Sequence, residues 1–123
     1  MRGIAILLPL ALLAAGCAGQ NFTAAGPFPQ DYKRITGSYI LKTFADPTSL
    51  RDVAIGAPIR GHIGNDQGWI VCVRADAKNR AGGYDGARKT AFLINHDQVT
   101  QSTNNAPLCN DTVLEPWPEM EGR

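Results

Sequence analysis

The segment from Asp76 to Arg88, DAKNRAGGYDGAR, concentrates the side chains best suited to bind a ligand. Lys78, Arg80 and Arg88 supply positive charge, and Tyr84 supplies a hydroxyl group on an aromatic ring. Glycines between them allow unusual backbone conformations, and successive amide N–H groups can form an anion-binding concavity. One interpretation of the segment is a recognition loop that binds an anion or a glycan, with the candidate binding residues Lys78, Asn79, Arg80, Gly82, Gly83, Tyr84 and Gly86.

A structural role for the same segment is the alternative. Glycines with positive φ suit a wide connection between two hairpin strands, and Tyr84 would then pack on the sheet edge. The segment lacks the G-x-x-x-x-G-K-[ST] pattern of a nucleotide-binding loop. The two interpretations differ in whether Lys78, Arg80 and Tyr84 converge on one exposed side.

The other reactive residue types form no catalytic pattern. His62 and His96 are isolated, and the chain has no H-x-x-x-H or C-x-x-C spacing that would predict a metal site. The serines lack a G-x-S-x-G setting. We therefore expect a binding or structural role with no catalytic residues, no metal and no cofactor. The alternative is a small periplasmic hydrolase or enzyme inhibitor that uses residues 78–86.

The first residues have the order of a secretory signal peptide. Arg2 precedes an uncharged apolar run from Ile4 to Leu13, which small residues follow. A membrane-spanning helix needs about 20 apolar residues, whereas this run is shorter and contains Pro9. The sequence therefore predicts export, with residues 1–16 removed as the signal peptide.

Cys17 ends this run, and LLAAGC resembles the lipobox of bacterial lipoproteins. The resemblance implies that the Cys17 thiol carries a diacylglycerol with fatty acyl chains such as palmitate. Leu13 stands four places before Cys17, one place farther than in the family pattern. Ala18, where inner-membrane lipoproteins have Asp, resembles the outer-membrane pattern and implies a periplasm-facing protein. Ordinary cleavage after Ala15 or Ala18, which leaves a free periplasmic protein, is the alternative.

The mature chain is long enough for one small domain and has balanced charge. The whole sequence has 12 basic and 11 acidic side chains, and removal of Arg2 with the signal peptide makes the two equal. Such a balance does not favour nucleic acid, and we expect an envelope protein or glycan as partner. We assign residues 17–27 to the lipid anchor and a flexible tether, 28–110 to an α+β domain, and 111–123 to a C-terminal tail.

Cys72 and Cys109 are the cysteines that remain if Cys17 carries lipid. An even pair in an exported protein predicts a disulfide. Two buried free thiols are the alternative, because Cys72 lies within a strongly apolar segment.

Hydrophobic periodicity predicts one helix followed by antiparallel strands. The helix covers Pro29 to Phe44, and GHIGNDQG is expected to be a loop. Alternating patterns predict strands over Val53–Ile59, with Pro58 marking an edge, over Trp69–Ala77, and over 87–96, which pairs with Val99–Thr103 through a turn at Asn95–Gln98. The expected fold is α+β, with the N-terminal helix packed on a sheet of three to four strands.

Two further elements resemble a family of small exported bacterial proteins, often lipoproteins and mostly uncharacterised. The family has a W-x-V-C strand followed by N-A-K-N-x-x-G-G-Y-x-G, and an upstream K-T-F-x-D-P-x-S-x-R-D element. The upstream match runs from Lys42 to Asp52, and Asp76 replaces the first Asn of the downstream pattern. The resemblance covers about Tyr32 to Leu93 and implies no known activity. The downstream matches are Trp69, Val71, Cys72, Ala77, Lys78, Asn79, Gly82, Gly83, Tyr84 and Gly86.

Overall fold

The computed structural model describes Gly3 and residues 25–122 of the chain. The predicted signal peptide, Cys17 and Ala18 lie outside the described residues. The described elements are helix α1 (Tyr32–Thr43) and strands β1 (Arg51–Ile55), β2 (Ile59–Ile63), β3 (Asp66–Asp76), β4 (Arg88–Asn95), β5 (Gln98–Asn104) and β6 (Glu115–Pro116). Short 3₁₀ helices cover Pro47–Ser49, Pro107–Asp111 and Pro118–Met120. Among these residues, none of the helices has the length and apolar character needed to span a bilayer.

Within residues 25–122, one α-helix and a six-stranded antiparallel sheet make an α+β arrangement. The strand order is β5-β4-β3-β1-β6, and β2 also pairs with β3. The predicted count of three to four strands is therefore wrong. The sheet is larger because β2 comes from a segment predicted as mostly loop, and β6 comes from the predicted tail.

The predicted strand over Val53–Ile59 is interrupted, and the predicted loop after it is largely strand. Residues 56–58 separate β1 from β2. Both strands pair with the 11-residue β3, β2 along its first half and β1 along its second half. Gly64, with φ +59°, turns the chain from β2 into β3. β2 is half-exposed, and although Ile59, Gly61 and Ile63 alternate with Arg60 and His62, the glycines and the Asn65–Asp66 pair of this segment also signal a loop.

The main core lies between α1 and one face of the sheet. Ile35 and Ile40 of the helix pack with Val71, Val73 and other residues of the sheet. Val71 pairs with Phe92 across β3 and β4, so alternate residues of both strands face the helix. The alternating pattern of β3 predicts that Trp69, Val71, Val73 and Ala75 share one face, and all four contribute to this core.

The opposite face carries a smaller cluster and the predicted disulfide. Cys72 of β3 is bonded to Cys109, and their Cα atoms lie 5.6 Å apart. The segment after Cys109 continues into β6, which pairs with β1, and Trp117 and Met120 are buried in the main core. Much of the predicted tail is therefore part of the folded domain.

Candidate functional site

A single side chain organises the glycine-rich segment between β3 and β4. The Asn79 Oδ1 atom accepts hydrogen bonds from the backbone N–H groups of Ala81 and Gly83, both at 3.0 Å. The Asn79 Nδ2 atom donates to the two carboxylate oxygens of Asp85 at 3.1 Å. Gly82 has φ +83°, a conformation that favours glycine. Asn79, Gly82 and Gly83 therefore determine the shape of the loop.

Tyr84 connects this loop to the start of β1. Its hydroxyl donates to the Ser49 carbonyl at 2.6 Å, and the Arg51 guanidinium lies 3.7 Å from the centre of its ring. The Arg51 Nε atom in turn donates to the carboxylate of Asp76 at 3.1 Å. Tyr84 is half-buried, and these contacts attach the loop to the start of β1.

A bulge in β1 makes the contact between Arg51 and Asp76 possible. Asp52 has φ +52°, and the register of β1 against β3 shifts between Arg51 and Ala54. A bulge changes the side of the sheet to which the preceding side chain points. Arg51 therefore lies directly opposite Asp76, whose carboxylate is buried.

A pocket of about 350 Å³ opens beside the loop, at the end of the helix-covered face. Its apolar floor includes Phe44, at the end of α1, and Val73 and Ala75 of β3. Its polar lining carries both signs of charge and neutral hydrogen-bonding groups. These polar residues are Lys78, Asn79, Asp85, Arg88, Thr90 and Asn104.

Three of the seven predicted binding residues line this pocket, namely Lys78, Asn79 and Gly86. Arg80 is exposed outside the lining, and Tyr84 contacts Ser49 and Arg51 instead. The predicted loop residues Gly82 and Gly83 are also outside the lining. Lys78, Arg80 and Tyr84 therefore do not line one common pocket.

Sequence reasoning did not select several other lining residues. Arg88 ends the glycine-rich segment that begins at Asp76, and Phe44 belongs to the upstream element of the family resemblance. Both residues therefore had a signal in the sequence. Asn104 had none, because it reaches the pocket only through the pairing of β5 with β4.

Among residues 25–122, neither Lys78 nor Arg88 of the pocket forms an ion pair, although the carboxylate of Asp85 lines the same pocket. In the described part of the chain, the ion pairs are Arg34–Asp31 and Arg51–Asp76. Hydrogen bonds from Ser49 and Thr48 lower the pKa of the exposed Asp46 carboxyl, and the charge of Lys78 adds a smaller contribution. Lys78 and Arg88 therefore remain able to bind an external anion.

The pocket lining contains no histidine, serine or cysteine that could act as a nucleophile or base. His62 contacts the Gly64 carbonyl beside the β2–β3 turn, and His96 lies in the turn between β4 and β5. Across residues 25–122, no three metal-ligating side chains come together. The charged groups of the pocket are Lys78, Asp85 and Arg88, and its neutral hydrogen-bonding groups include Thr90 and Asn104.

In comparisons with protein-family models, curated proteins and solved structures, no match to this chain was found.

Proposed function

We propose that this chain is a lipid-anchored protein of the cell envelope, facing the periplasm from the outer membrane, whose domain binds an acidic sugar of a glycan. The observation that carries the binding role is the pocket beside the glycine-rich loop. There Lys78 and Arg88, which form no ion pair with any residue that the structure describes, stand over an apolar floor.

The chemistry of the pocket lining supports an acidic sugar. A guanidinium and an ammonium group bind carboxylates through charge-assisted hydrogen bonds, which are stronger than neutral ones. The Oδ1 atom of Asn104 accepts a hydrogen bond from Thr90, and its Nδ2 group can donate to a sugar hydroxyl or acetamido group. Phe44 and the neighbouring alanines provide apolar area for the C–H face of a sugar ring.

The amino-terminal sequence supports the envelope location. Its basic, apolar and small segments end at Cys17 in a lipobox-like pattern. Multiple acyl chains on one residue give stable anchoring, whereas a single chain binds a bilayer only marginally. The acidic sugars of the cell wall would then be available to the anchored domain.

Titration with two matched sugars tests the binding role. N-acetylmuramic acid and N-acetylglucosamine differ by a lactyl group that carries a carboxylate. We expect the acid to shift the amide signals of Lys78 and Gly86, and to bind about tenfold more tightly than the neutral sugar, as one charge-assisted hydrogen bond would give.

Two variants give the matched control for this titration. Lys78→Ala with Arg88→Ala should abolish the preference for the acid, because both pocket cations are removed. Arg80→Ala removes one positive charge from the same loop, outside the pocket lining, and should leave binding unchanged. Equal binding of both sugars to the unmodified protein, or equal losses in both variants, would contradict the proposed site.

A further inference from the structure

The first described residues are fixed to one end of the sheet. The Ala25 carbonyl accepts a hydrogen bond from the backbone N–H of His96 at 3.4 Å, and the Gly26 carbonyl accepts one from the Trp69 indole at 3.2 Å. The rings of Phe28 and Trp69 meet edge to face, with 5.2 Å between centroids. The chain that follows Cys17 therefore reaches the domain beside Trp69.

Phe28 and Arg60 are exposed at this point, beside the half-buried ring of Trp69. Phe28 is 39 % exposed, and the exposed Arg60 places its guanidinium 5.2 Å from the centre of the Trp69 ring. We call Phe28, Arg60 and Trp69 the tether-side surface. Aromatic side chains concentrate at the membrane–water interface, and guanidinium groups bind phosphates of lipid headgroups. The composition of this surface therefore suits a phospholipid bilayer.

The pocket lies at the other end of the same strand. From Trp69 to Ala77, which lines the pocket, an extended chain covers about 26 Å. The segment from Cys17 to Ala25 spans at most about 28 Å when fully extended. A domain that turned its pocket toward the bilayer would therefore need nearly the whole tether to run along the sheet.

We infer that the tether-side surface rests on the headgroup region of the bilayer that holds Cys17, and that the pocket faces away from that bilayer. This inference depends on the lipid anchor of the proposed function. The tether-side surface contacts the phospholipid headgroups. The pocket binds its ligand on the aqueous side of the domain.

Fluorescence quenching in vesicles tests the orientation. The lipidated full-length protein is reconstituted into vesicles of phosphatidylethanolamine and phosphatidylglycerol, with and without brominated acyl chains. Trp69 is expected to lose about half of its emission in brominated vesicles, because interfacial aromatic rings lie close to the acyl chains. Trp117 is 4 % exposed in the core, and the variant Trp69→Phe isolates its emission for subtraction.

Two sets of substitutions at exposed positions provide the comparison. Phe28→Ala with Arg60→Ala should remove most of the Trp69 quenching while the protein still floats with the vesicles. Leu41→Ala changes a side chain of the same 39 % exposure on α1 and should leave the quenching unchanged. Flotation of the unmodified protein without Trp69 quenching would overturn this inference alone. Failure to float would overturn the anchor, and the inference with it.

Discussion

The two faces of the sheet are held by different kinds of interaction. On one face, α1 covers large apolar side chains, and Phe92 is fully buried with its ring against those of Tyr39 and Phe44. On the other face, the segment around Cys109 covers a smaller cluster that includes Ile70, Ala91 and Leu93. The disulfide attaches this segment to β3.

The difference shows how the described part of the chain, with one α-helix, covers the two faces of its sheet. A helix presents a continuous apolar stripe, so burial alone can hold it in place. A short 3₁₀ segment offers few apolar side chains, and a covalent link compensates by restricting the unfolded chain. The junction of Asp76, Arg51 and Tyr84 adds polar contacts at the end of β3.

The largest expected effect comes from truncation of the helix-covered core. Phe92→Ala should lower the free energy of unfolding by about 4 kcal/mol, and Leu93→Ala, the next residue on the opposite face, by about 3 kcal/mol. Both side chains are fully buried, so the pair compares the two faces directly. Urea unfolding of each variant measures the loss. A greater loss for Leu93→Ala would reverse the ranking of the two faces.

Removal of the disulfide should have the next largest effect. The double variant Cys72→Ala and Cys109→Ala should lose about 3 kcal/mol, because the bond closes a loop across a sequence separation of 37 residues. Reduction of the unmodified protein should lower its melting temperature to a similar extent. An unchanged melting temperature after complete reduction would mean that packing alone holds this face.

The smallest of these effects concerns the polar junction. Tyr84→Phe removes the hydrogen bond to the Ser49 carbonyl and should cost about 1 kcal/mol in unfolding free energy. Arg80→Ala, an exposed change in the same loop, should stay within about 0.5 kcal/mol. Sugar binding should be unchanged by Tyr84→Phe, because Tyr84 does not line the pocket. Weaker binding at unchanged stability would instead give Tyr84 a role in recognition.

Local patterns predicted the elements that have strong apolar periodicity. The helix was expected over 29–44 and runs over Tyr32–Thr43, and the main strand was expected over 69–77 and runs over Asp66–Asp76. The turn after β4 was also predicted, and His96 and Asp97 there have φ of 50° and 62°. The half-exposed β2 could not be recognised in this way, because its strand conformation depends on pairing with β3.

The sequence by itself determined the α+β class, the helix and the strongest strands, because hydrophobic periodicity acts locally. The chain has three cysteines, so the pairing of Cys72 with Cys109 was predicted only on the assumption that Cys17 carries lipid, and the structure decided between a disulfide and free thiols. Only the tertiary structure decided which residues form the pocket. The register of β4 against β5 places Thr90 opposite Asn104, and chain packing brings Phe44 to the same site. These contacts join residues far apart in sequence, so no local pattern encodes them.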